Sequence, residues 1–239
     1  MDNFKEFADT FGKLKREYIN LEEEYFKGYV GAFEKLKNGY ALIREDNKRK
    51  AWDFNIFRLL EAERYEVATH SSMLRDLLDS RGTHGQGNLF FKEFLSMLSM
   101  KGIIKEDEIT SYLNRTFDDY LCIAEKTVET GRLDIEISRL HGDSQFYFVI
   151  ENKIDAPDQE RQIERYGEVV GKIKVPADRK KIFYLTPDGR QPAETSANGI
   201  YCISYREDIR SWLENSLKKV ESEKVRYTVR QYLDIVKTL

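Results

Sequence analysis

The feature that most constrains this chain is a change of hydrophobic period near residue 120. Three apolar segments typical of β-strands follow, at residues 120–130, 132–140 and 145–154, with short polar turns between them. A charged helical segment at 158–171 then precedes two more strand segments, 181–186 and 199–204. Short turns predict an antiparallel meander, and a helix between strands permits a parallel crossover. The order α-β-β-β-α-β therefore predicts an α/β fold, a mixed central sheet flanked by helices.

Helical periodicity dominates both ends of the chain. Near the N-terminus, apolar residues recur at alternating spacings of three and four, at Phe4, Phe7, Phe11, Leu14, Tyr18, Leu21 and Tyr25, followed by Tyr29, Phe33 and Leu36. The pattern indicates a long amphipathic helix or a helical hairpin that stops at Asn38-Gly39. Its apolar face either packs on the rest of the same chain or, with about three heptads, forms a coiled-coil dimer arm.

Domain boundaries follow from these patterns. We predict a helical N-terminal extension at 1–50, a core at 51–205, and two C-terminal helices at 206–239 packed on that core. Within the core, residues 55–79 and 88–100 also have helical periodicity. No apolar run is long enough to span a bilayer, and the first residues do not resemble a signal peptide, so we expect a cytoplasmic protein without a membrane partner.

Two predicted strands carry the residues with the clearest chemistry. Side chains alternate along a strand, so Glu151 and Lys153 point to one face and Asn152 to the other. If Asp134 on the preceding strand faces the same side, two carboxylates converge beside one ammonium. Such carboxylates resist double ionisation unless a divalent cation lies between them, and oxygen ligands suit Mg²⁺ or Mn²⁺. The alternative is an ordinary cross-strand ion-pair cluster.

This arrangement also suits hydrolysis of a phosphodiester bond. A metal held by Asp134 and Glu151 would polarise the phosphate and lower the pKa of a bound water. Lys153 would orient that water or stabilise the negative charge that develops on the phosphate. Zinc is not expected, because two cysteines, Cys122 and Cys202, cannot supply a four-ligand site; we interpret both as reduced core thiols.

The same residues resemble the PD-(D/E)xK nuclease superfamily, the restriction-endonuclease-like proteins. Asp134 and Glu151-Asn152-Lys153 occupy the family's second and third core strands, and Gln162 with Tyr166 matches the Gln-x-x-x-Tyr helix of one branch. An upstream block from Glu66 to Gly87 is similar to a largely uncharacterised bacterial and phage-associated group. The resemblance covers about residues 53–205. The proline that names the superfamily is absent, since Leu133 precedes Asp134.

The resemblance implies a Mg²⁺-dependent (or Mn²⁺-dependent) deoxyribonuclease acting in restriction, repair or phage defence. It implies catalytic roles for Asp134, Glu151, Lys153, Glu66, Gln162 and Tyr166, and it implies metal ligation by Asp134, Glu151, Asn152 through its backbone carbonyl, Glu66 and His84. The alternatives are that Glu66 is a helix-surface carboxylate and that the glycine-rich turn around His84 only caps the next helix. We expect His70 to be packed. Asp155 and Arg132 are candidate accessory residues.

The charge distribution bears on the partner. A net charge of −3 argues against binding nucleic acid through bulk charge. A local basic stretch is a candidate for holding DNA phosphates, although it is also explained as a solvated face: Lys172, Lys174, Arg179, Lys180 and Lys181. DNA is the expected partner, with RNA and a homodimer left open. The alternative function is a catalytically silent nuclease-like module that binds nucleic acid or protein.

Overall fold

The computed structural model describes residues 2–51, 54–113, 120–129, 131–142, 144–159, 161–193 and 199–239, with side chains from residue 6 onward. Contacts divide the chain into two units, residues 1–54 and residues 55–239.

The first unit is one long helix, α1 (Asp2–Lys50). The predicted stop at Asn38-Gly39 is wrong, because the helix continues through both residues. A glycine inside a helix costs only about 1 kcal/mol relative to alanine, which one residue pair in a long helix can absorb. The helix ends at Ala51, whose φ of 44° lies in the left-handed region. Its large apolar side chains are exposed.

A five-stranded sheet forms the centre of the second unit, in the part of the chain that the structure describes. Its strands, in spatial and chain order, are β1 (Leu121–Val128), β2 (Gly131–Arg139), β3 (Phe146–Asn152), β4 (Lys180–Thr186) and β5 (Ile200–Ser204). The first three strands pair antiparallel, and β3, β4 and β5 pair parallel. The predicted α/β class with a mixed sheet flanked by helices is confirmed. Strand β3 is where the pairing direction changes.

Helices pack on both faces of this sheet. They are α2 (Ile56–Leu59), a π-helical turn (Glu66–Ser71), α3 (Ser72–Leu78), α4 (Leu89–Met100), α5 (Glu108–Tyr112), α6 (Gln162–Lys172), a 3₁₀ turn (Ala177–Arg179), a second π-helical turn (Tyr205–Ile209), α7 (Arg210–Leu217) and α8 (Glu223–Val236). The helix predicted over 55–79 is divided into three pieces. The short helix α5 was not predicted, since five residues are too few to establish a period.

The sheet separates two apolar clusters. One face, with Ile135, Phe148, Ile150 and Phe183, packs against α3, α4, α7 and α8. The other face, with Tyr147, Val149 and Tyr184, packs against α6 through Ile163, Tyr166 and Val170. Side chains alternate along a strand, so Glu151 lies on the α6 face and Asn152 on the opposite face. Cys122 and Cys202 are free thiols, buried and half-buried respectively.

Candidate active site

Two carboxylates face each other across adjacent strands. Ile135 pairs with Ile150 in the antiparallel register, so the next pair along the two strands is Asp134 and Glu151. The Asn152 backbone N–H donates to Asp134 Oδ2 at 2.8 Å, which fixes the Asp134 side chain beside β3. Only 1% of the Glu151 side chain is exposed, and its buried Oε2 atom has no hydrogen-bond partner among the residues that the structure describes. A buried carboxylate oxygen without a partner is costly unless it is protonated or binds a cation.

The pKa values of both carboxyls reflect this crowding. Burial raises the pKa of Asp134 to about 6; the hydrogen bond from the Asn152 N–H acts in the opposite direction, and the charge of Glu125 raises the pKa by a smaller amount. Burial and the charge of Asp134 raise the pKa of Glu151 to about 8, while the nearby Lys153 acts in the opposite direction. The pair is therefore expected to hold a proton near neutral pH, or to exchange it for a metal cation.

Lys153 lies immediately after β3 and is held close to this pair. Its backbone N–H donates to the Leu185 carbonyl at 2.8 Å, which extends the β3–β4 pairing by one residue. Its Nζ atom lies 3.0 Å from Glu151 Oε1, and 8% of the side chain is exposed. The ammonium therefore has one carboxylate partner and only a narrow opening to solvent.

The Gln-x-x-x-Tyr helix contributes a second set of contacts. Gln162 Nε2 donates to Glu151 Oε1 at 2.7 Å and to the Tyr166 hydroxyl at 3.0 Å. The Tyr166 hydroxyl in turn donates to the Arg132 carbonyl at 2.6 Å. Residues i and i+4 share one helix face, which explains why both side chains reach the sheet. Gln162 and Tyr166 thus connect α6 to both acidic strands.

Glu66 anchors the loop that follows β3. Its Oε1 atom accepts three backbone N–H groups, from Ile154 at 2.6 Å, Asp155 at 2.9 Å and Ala156 at 2.9 Å. The charge of Glu66 also contributes to raising the pKa of Asp134, although less than burial does. The Oε1 atom of Glu66 is therefore occupied by the loop. Metal ligation by its second carboxylate oxygen stays a prediction.

Asn152 is held on the opposite face of the sheet. Its amide donates to the Glu66 carbonyl at 3.2 Å and to Ser71 Oγ at 3.1 Å, and its Oδ1 accepts from the Tyr205 hydroxyl at 2.9 Å. This network fixes the peptide between Glu151 and Lys153. His70 is packed nearby, between the Tyr232 hydroxyl at 3.1 Å and the Glu63 carbonyl at 2.8 Å, as expected.

His84 is hydrogen bonded within its own turn, which favours the alternative that the turn has a structural role; metal ligation by His84 stays a prediction. Its Nε2 lies 3.1 Å from the Asp79 carbonyl, and its Nδ1 accepts the Gln86 N–H at 2.9 Å. A neutral imidazole with these partners has no lone pair left for a metal. A Cβ atom at Gly82 would lie 2.1 Å from the Asp76 carbonyl oxygen, so this glycine is required by close packing of the turn.

The basic stretch lies near the end of β3 that is opposite to the carboxylates, and its role in holding DNA phosphates stays a prediction. Lys180 and Lys181 pair with Tyr147 and Phe148 at the beginning of β3, three to four residues from Glu151. At about 3.3 Å per residue, this separation is roughly 10–13 Å along the strand. Four of the five cations contact other residues: Arg179 binds Ser111 Oγ, Lys180 the Gly171 carbonyl, Lys181 the Asp178 carbonyl and Lys172 the Glu129 carboxylate. Lys174 is exposed.

The predicted accessory residues have ion-pair partners. Asp155 pairs with Arg64, and this hydrogen bond lowers its pKa. Arg132 Nε lies 2.5 Å from Glu125 Oε2.

Glu125 is a neighbour of the site that the sequence did not identify. Ala124 pairs with Ile135 and Lys126 with Leu133, which places Glu125 opposite Asp134. Its φ of 56° is unusual for a residue other than glycine, although the pairing register of β1 with β2 is the same on both sides of it. Its charge contributes to the raised pKa of Asp134. An alternating strand pattern does not distinguish Glu125 from other polar strand residues, so no sequence signal selects it.

A pocket of about 240 Å³ adjoins the site on the α6 side. Its lining includes Gln162, Asp158 and Tyr184. Asp158 accepts two hydrogen bonds from Arg190, both at 3.0 Å, which hold its pKa well below the usual range, and it also binds the Tyr184 hydroxyl. No local sequence pattern selects Asp158 or Arg190, because they are 32 residues apart.

The donor set fits a hard divalent cation. Among the described residues, no three side chains of Asp, Glu, His or Cys meet closely enough to hold an ion by themselves. Asp134 and Glu151 nevertheless provide two facing carboxylates, one with an unpartnered buried oxygen. A third protein oxygen, such as the predicted backbone carbonyl of Asn152, would be needed, and Mg²⁺ commonly keeps several waters in addition.

Comparison with known proteins agrees with this geometry. The family model of the PD-(D/E)XK nuclease superfamily matches residues 54–234. The chain belongs to this superfamily. The match extends into α8, beyond the region of the sequence resemblance, and it leaves α1 outside. No curated protein and no solved structure matches the chain.

Membership in the PD-(D/E)XK superfamily indicates a nuclease, a hydrolase that acts on nucleic acid, and nucleases of this superfamily generally use divalent metal ions. In the ranges that the structure covers, no helix has both the length and the apolar character needed to cross a membrane.

Proposed function

We propose that this chain is a Mg²⁺-dependent or Mn²⁺-dependent deoxyribonuclease that hydrolyses phosphodiester bonds at the Asp134–Glu151 site. The observation that carries the proposal is the buried Glu151 carboxylate. It faces Asp134, has one oxygen without a partner, and lies 3.0 Å from the Lys153 ammonium. A purely structural ion pair between Lys153 and Glu151 would not explain why a second carboxylate, that of Asp134, is buried beside it.

Asp134, Glu151 and the backbone carbonyl of Asn152 would hold the cation. Glu66 is proposed as an accessory acid through its second carboxylate oxygen. A bound divalent cation would supply charge neutralisation for the phosphate and would lower the pKa of a coordinated water. The raised pKa values of the two carboxyls support this assignment, because a cation replaces the proton that the pair otherwise retains.

Lys153 is proposed as the catalytic lysine. Its ammonium is held by Glu151 but keeps a small exposed fraction, so it can donate to an attacking water or to a phosphate oxygen. A preorganised donor aimed at developing negative charge commonly contributes two to three powers of ten in rate.

Gln162 and Tyr166 are proposed to position the site. Gln162 donates to the Glu151 oxygen that also binds Lys153, which directs the other Glu151 oxygen toward the cation position. Tyr166 fixes Gln162 and is itself fixed by the Arg132 carbonyl. The adjoining pocket places Gln162 where it can also contact a nucleotide.

The test is cleavage of linear, nicked, single-stranded and supercoiled DNA with Mg²⁺, Mn²⁺ or EDTA. We expect Lys153→Met to fold and to lose metal-dependent cleavage by at least about 100-fold. The matched control is Lys219→Met, because Lys219 also pairs with a buried glutamate, Glu93 at 2.6 Å, but follows α7 on the opposite side of the sheet. The control should cleave like the unmodified chain.

Two outcomes would overturn the proposal. Absence of cleavage of every DNA form in either metal would favour the alternative of a silent binding module, especially if Asp134→Asn causes no loss of Mn²⁺ binding. Equal loss of cleavage in Lys153→Met and Lys219→Met would show that a general loss of stability is responsible. An RNA panel separates ribonuclease from deoxyribonuclease activity. A cytoplasmic setting in restriction, repair or phage defence stays a prediction of the resemblance.

A further inference from the structure

The long helix α1 carries an internal repeat of 11 residues. Aromatic residues recur at this interval four times, at Phe7, Tyr18, Tyr29 and Tyr40. Short blocks repeat with them, as in Arg16-Glu17-Tyr18, Lys27-Gly28-Tyr29 and Asn38-Gly39-Tyr40. The heptad description covers the helix only as far as Tyr25, because the spacing then becomes four and four. The 11-residue period describes the whole segment 7–43.

The repeat places one apolar stripe along the full length of the helix. Eleven residues make about three turns at 3.67 residues per turn, close to the 3.6 of a straight helix, so equivalent positions hardly drift around it. Apart from Thr10, Glu22, Arg44 and Asn47, the stripe is apolar: Phe7, Phe11, Leu14, Tyr18, Leu21, Tyr25, Tyr29, Ala32, Phe33, Leu36, Tyr40 and Ile43. These positions correspond to the core of an 11-residue coiled coil.

The stripe is exposed. Phe11, Tyr18 and Tyr29 have 62%, 63% and 73% of their surface accessible, and Leu36 has 73%. A continuous apolar surface of this length is larger than monomeric soluble proteins normally present to water, so it indicates an interface. Unlike scattered surface hydrophobic residues, these side chains share one face and one period.

Glycines beside the stripe point to another helix as the partner. Gly28 and Gly39 are 11 residues apart and each precedes a stripe tyrosine. A Cβ atom at either position would have no neighbour within 4 Å among the described residues outside the helix's own backbone, so packing within the chain does not require glycine there. Glycine weakens a helix interior, but it lets a second helix backbone approach closely.

Charge favours a second copy of the same helix. Residues 2–50 contain 11 basic and 10 acidic residues, so α1 is nearly neutral overall and its net charge provides little attraction to phosphates or anionic lipid. One flank of the stripe carries Lys15, Lys37 and Lys48, and the other carries Glu17 and Glu24 together with Lys13 and Lys35. A parallel pair places the lysine flank beside the flank with the glutamates. An antiparallel pair places lysines beside lysines, which is unfavourable.

We propose that residues 7–43 of α1 form a parallel coiled coil with a second copy of this chain. The 11-residue period predicts a coil that is almost straight or slightly right-handed, in contrast to a heptad coil. Because the helix is parallel to its copy, both nuclease units follow the same end of the coil. The proposal does not depend on cleavage activity.

The first experiment measures the mass of the full chain in solution by sedimentation equilibrium. We expect twice the 28.2 kDa chain mass at micromolar concentration. The variant Tyr29→Glu with Phe33→Glu should have the mass of one chain. The matched control, Asn20→Glu with Leu42→Glu, adds the same charge on the opposite face and should remain a dimer. Circular dichroism checks that helix content and the folded nuclease unit are retained.

A second experiment tests the orientation. Phe7→Cys should form a disulfide with Phe7→Cys of the second copy under mild oxidation, whereas the unmodified chain, with Cys122 and Cys202, should not cross-link. An antiparallel pair would instead join Phe7→Cys to Ile43→Cys in a mixture of the two variants, which would overturn the parallel arrangement. A single-chain mass for the unmodified protein would overturn self-association. The stripe would then pack on its own chain or bind vesicles of anionic lipid.

Discussion

Replacement of Asp134 by asparagine should stabilise the metal-free protein at alkaline pH. The native fold buries this carboxyl beside Glu151 and raises its pKa from 3.8 to about 6. The native state therefore holds a proton that the unfolded state releases at lower pH. The stability that this proton provides is fully present below the unfolded pKa of 3.8 and is lost as pH rises through about 6. Above that range, the ionised and buried Asp134 carboxylate destabilises the fold.

The magnitude follows from the size of the shift. About two pKa units correspond to about 3 kcal/mol of free energy of unfolding at pH 8. Asparagine keeps an oxygen for the Asn152 N–H, but the bond to a neutral acceptor is weaker by roughly 1 kcal/mol. The expected net gain is therefore about 1–2 kcal/mol, or roughly 2–8 °C in Tm for a unit of this size.

The assay is urea or thermal unfolding of both proteins at pH 4.5 and pH 8, in EDTA and in MgCl₂. In EDTA, the advantage of Asp134→Asn should grow from pH 4.5 to pH 8. With Mg²⁺ at 100 times its Kd, the unmodified protein should gain about 2.7 kcal/mol and overtake the variant, which lacks a ligand. A variant that is less stable than the unmodified protein at pH 8 in EDTA would refute the idea that the buried, ionised Asp134 carboxylate destabilises the native state.

Three further results are expected. Glu66→Ala should lower the free energy of unfolding by about 2–3 kcal/mol and increase hydrogen exchange at residues 154–156, because three amides lose a charged acceptor; unchanged exchange there would contradict this. His84→Ala should destabilise the turn by about 1–3 kcal/mol in urea unfolding without changing Mn²⁺ affinity measured by calorimetry. Gln162→Ala should lower kcat for DNA cleavage by a larger factor than it raises KM. Equal factors would indicate a binding role for Gln162 instead.

The sequence predicted the fold class because two hydrophobic periods dominate it, one typical of helices and one typical of strands. Strands β1 to β5 agree with the predicted segments to within a few residues at their ends, since alternation is strong wherever one face is buried. That Asp134 faces Glu151 was a condition that the sequence left open, and the register between Ile135 and Ile150 meets it. The role of Lys153 came from its spacing and the resemblance, those of Gln162 and Tyr166 from the resemblance, and all three stay predictions until cleavage is measured.

Other features depend on contacts that no local pattern contains. Glu125 faces Asp134 from a position with positive φ, and Arg190 reaches Asp158 across 32 residues. Charge density does not reveal that Lys181 pairs with the beginning of β3, at the other end of that strand from Glu151. A glycine-rich turn that looks open in sequence is closed by hydrogen bonds around His84.

The acidic strands and the Gln-x-x-x-Tyr helix have a consequence for folding order. Glu125, Asp134, Glu151, Lys153 and Tyr166 all fall within a stretch of 42 residues, and Glu66 alone enters from outside it. Contacts of short sequence separation close early because their loops cost little entropy. We expect the carboxylates to converge before the upstream helices pack on the sheet. The burial of these charges therefore destabilises the partly folded chain before Glu66 binds the loop after β3.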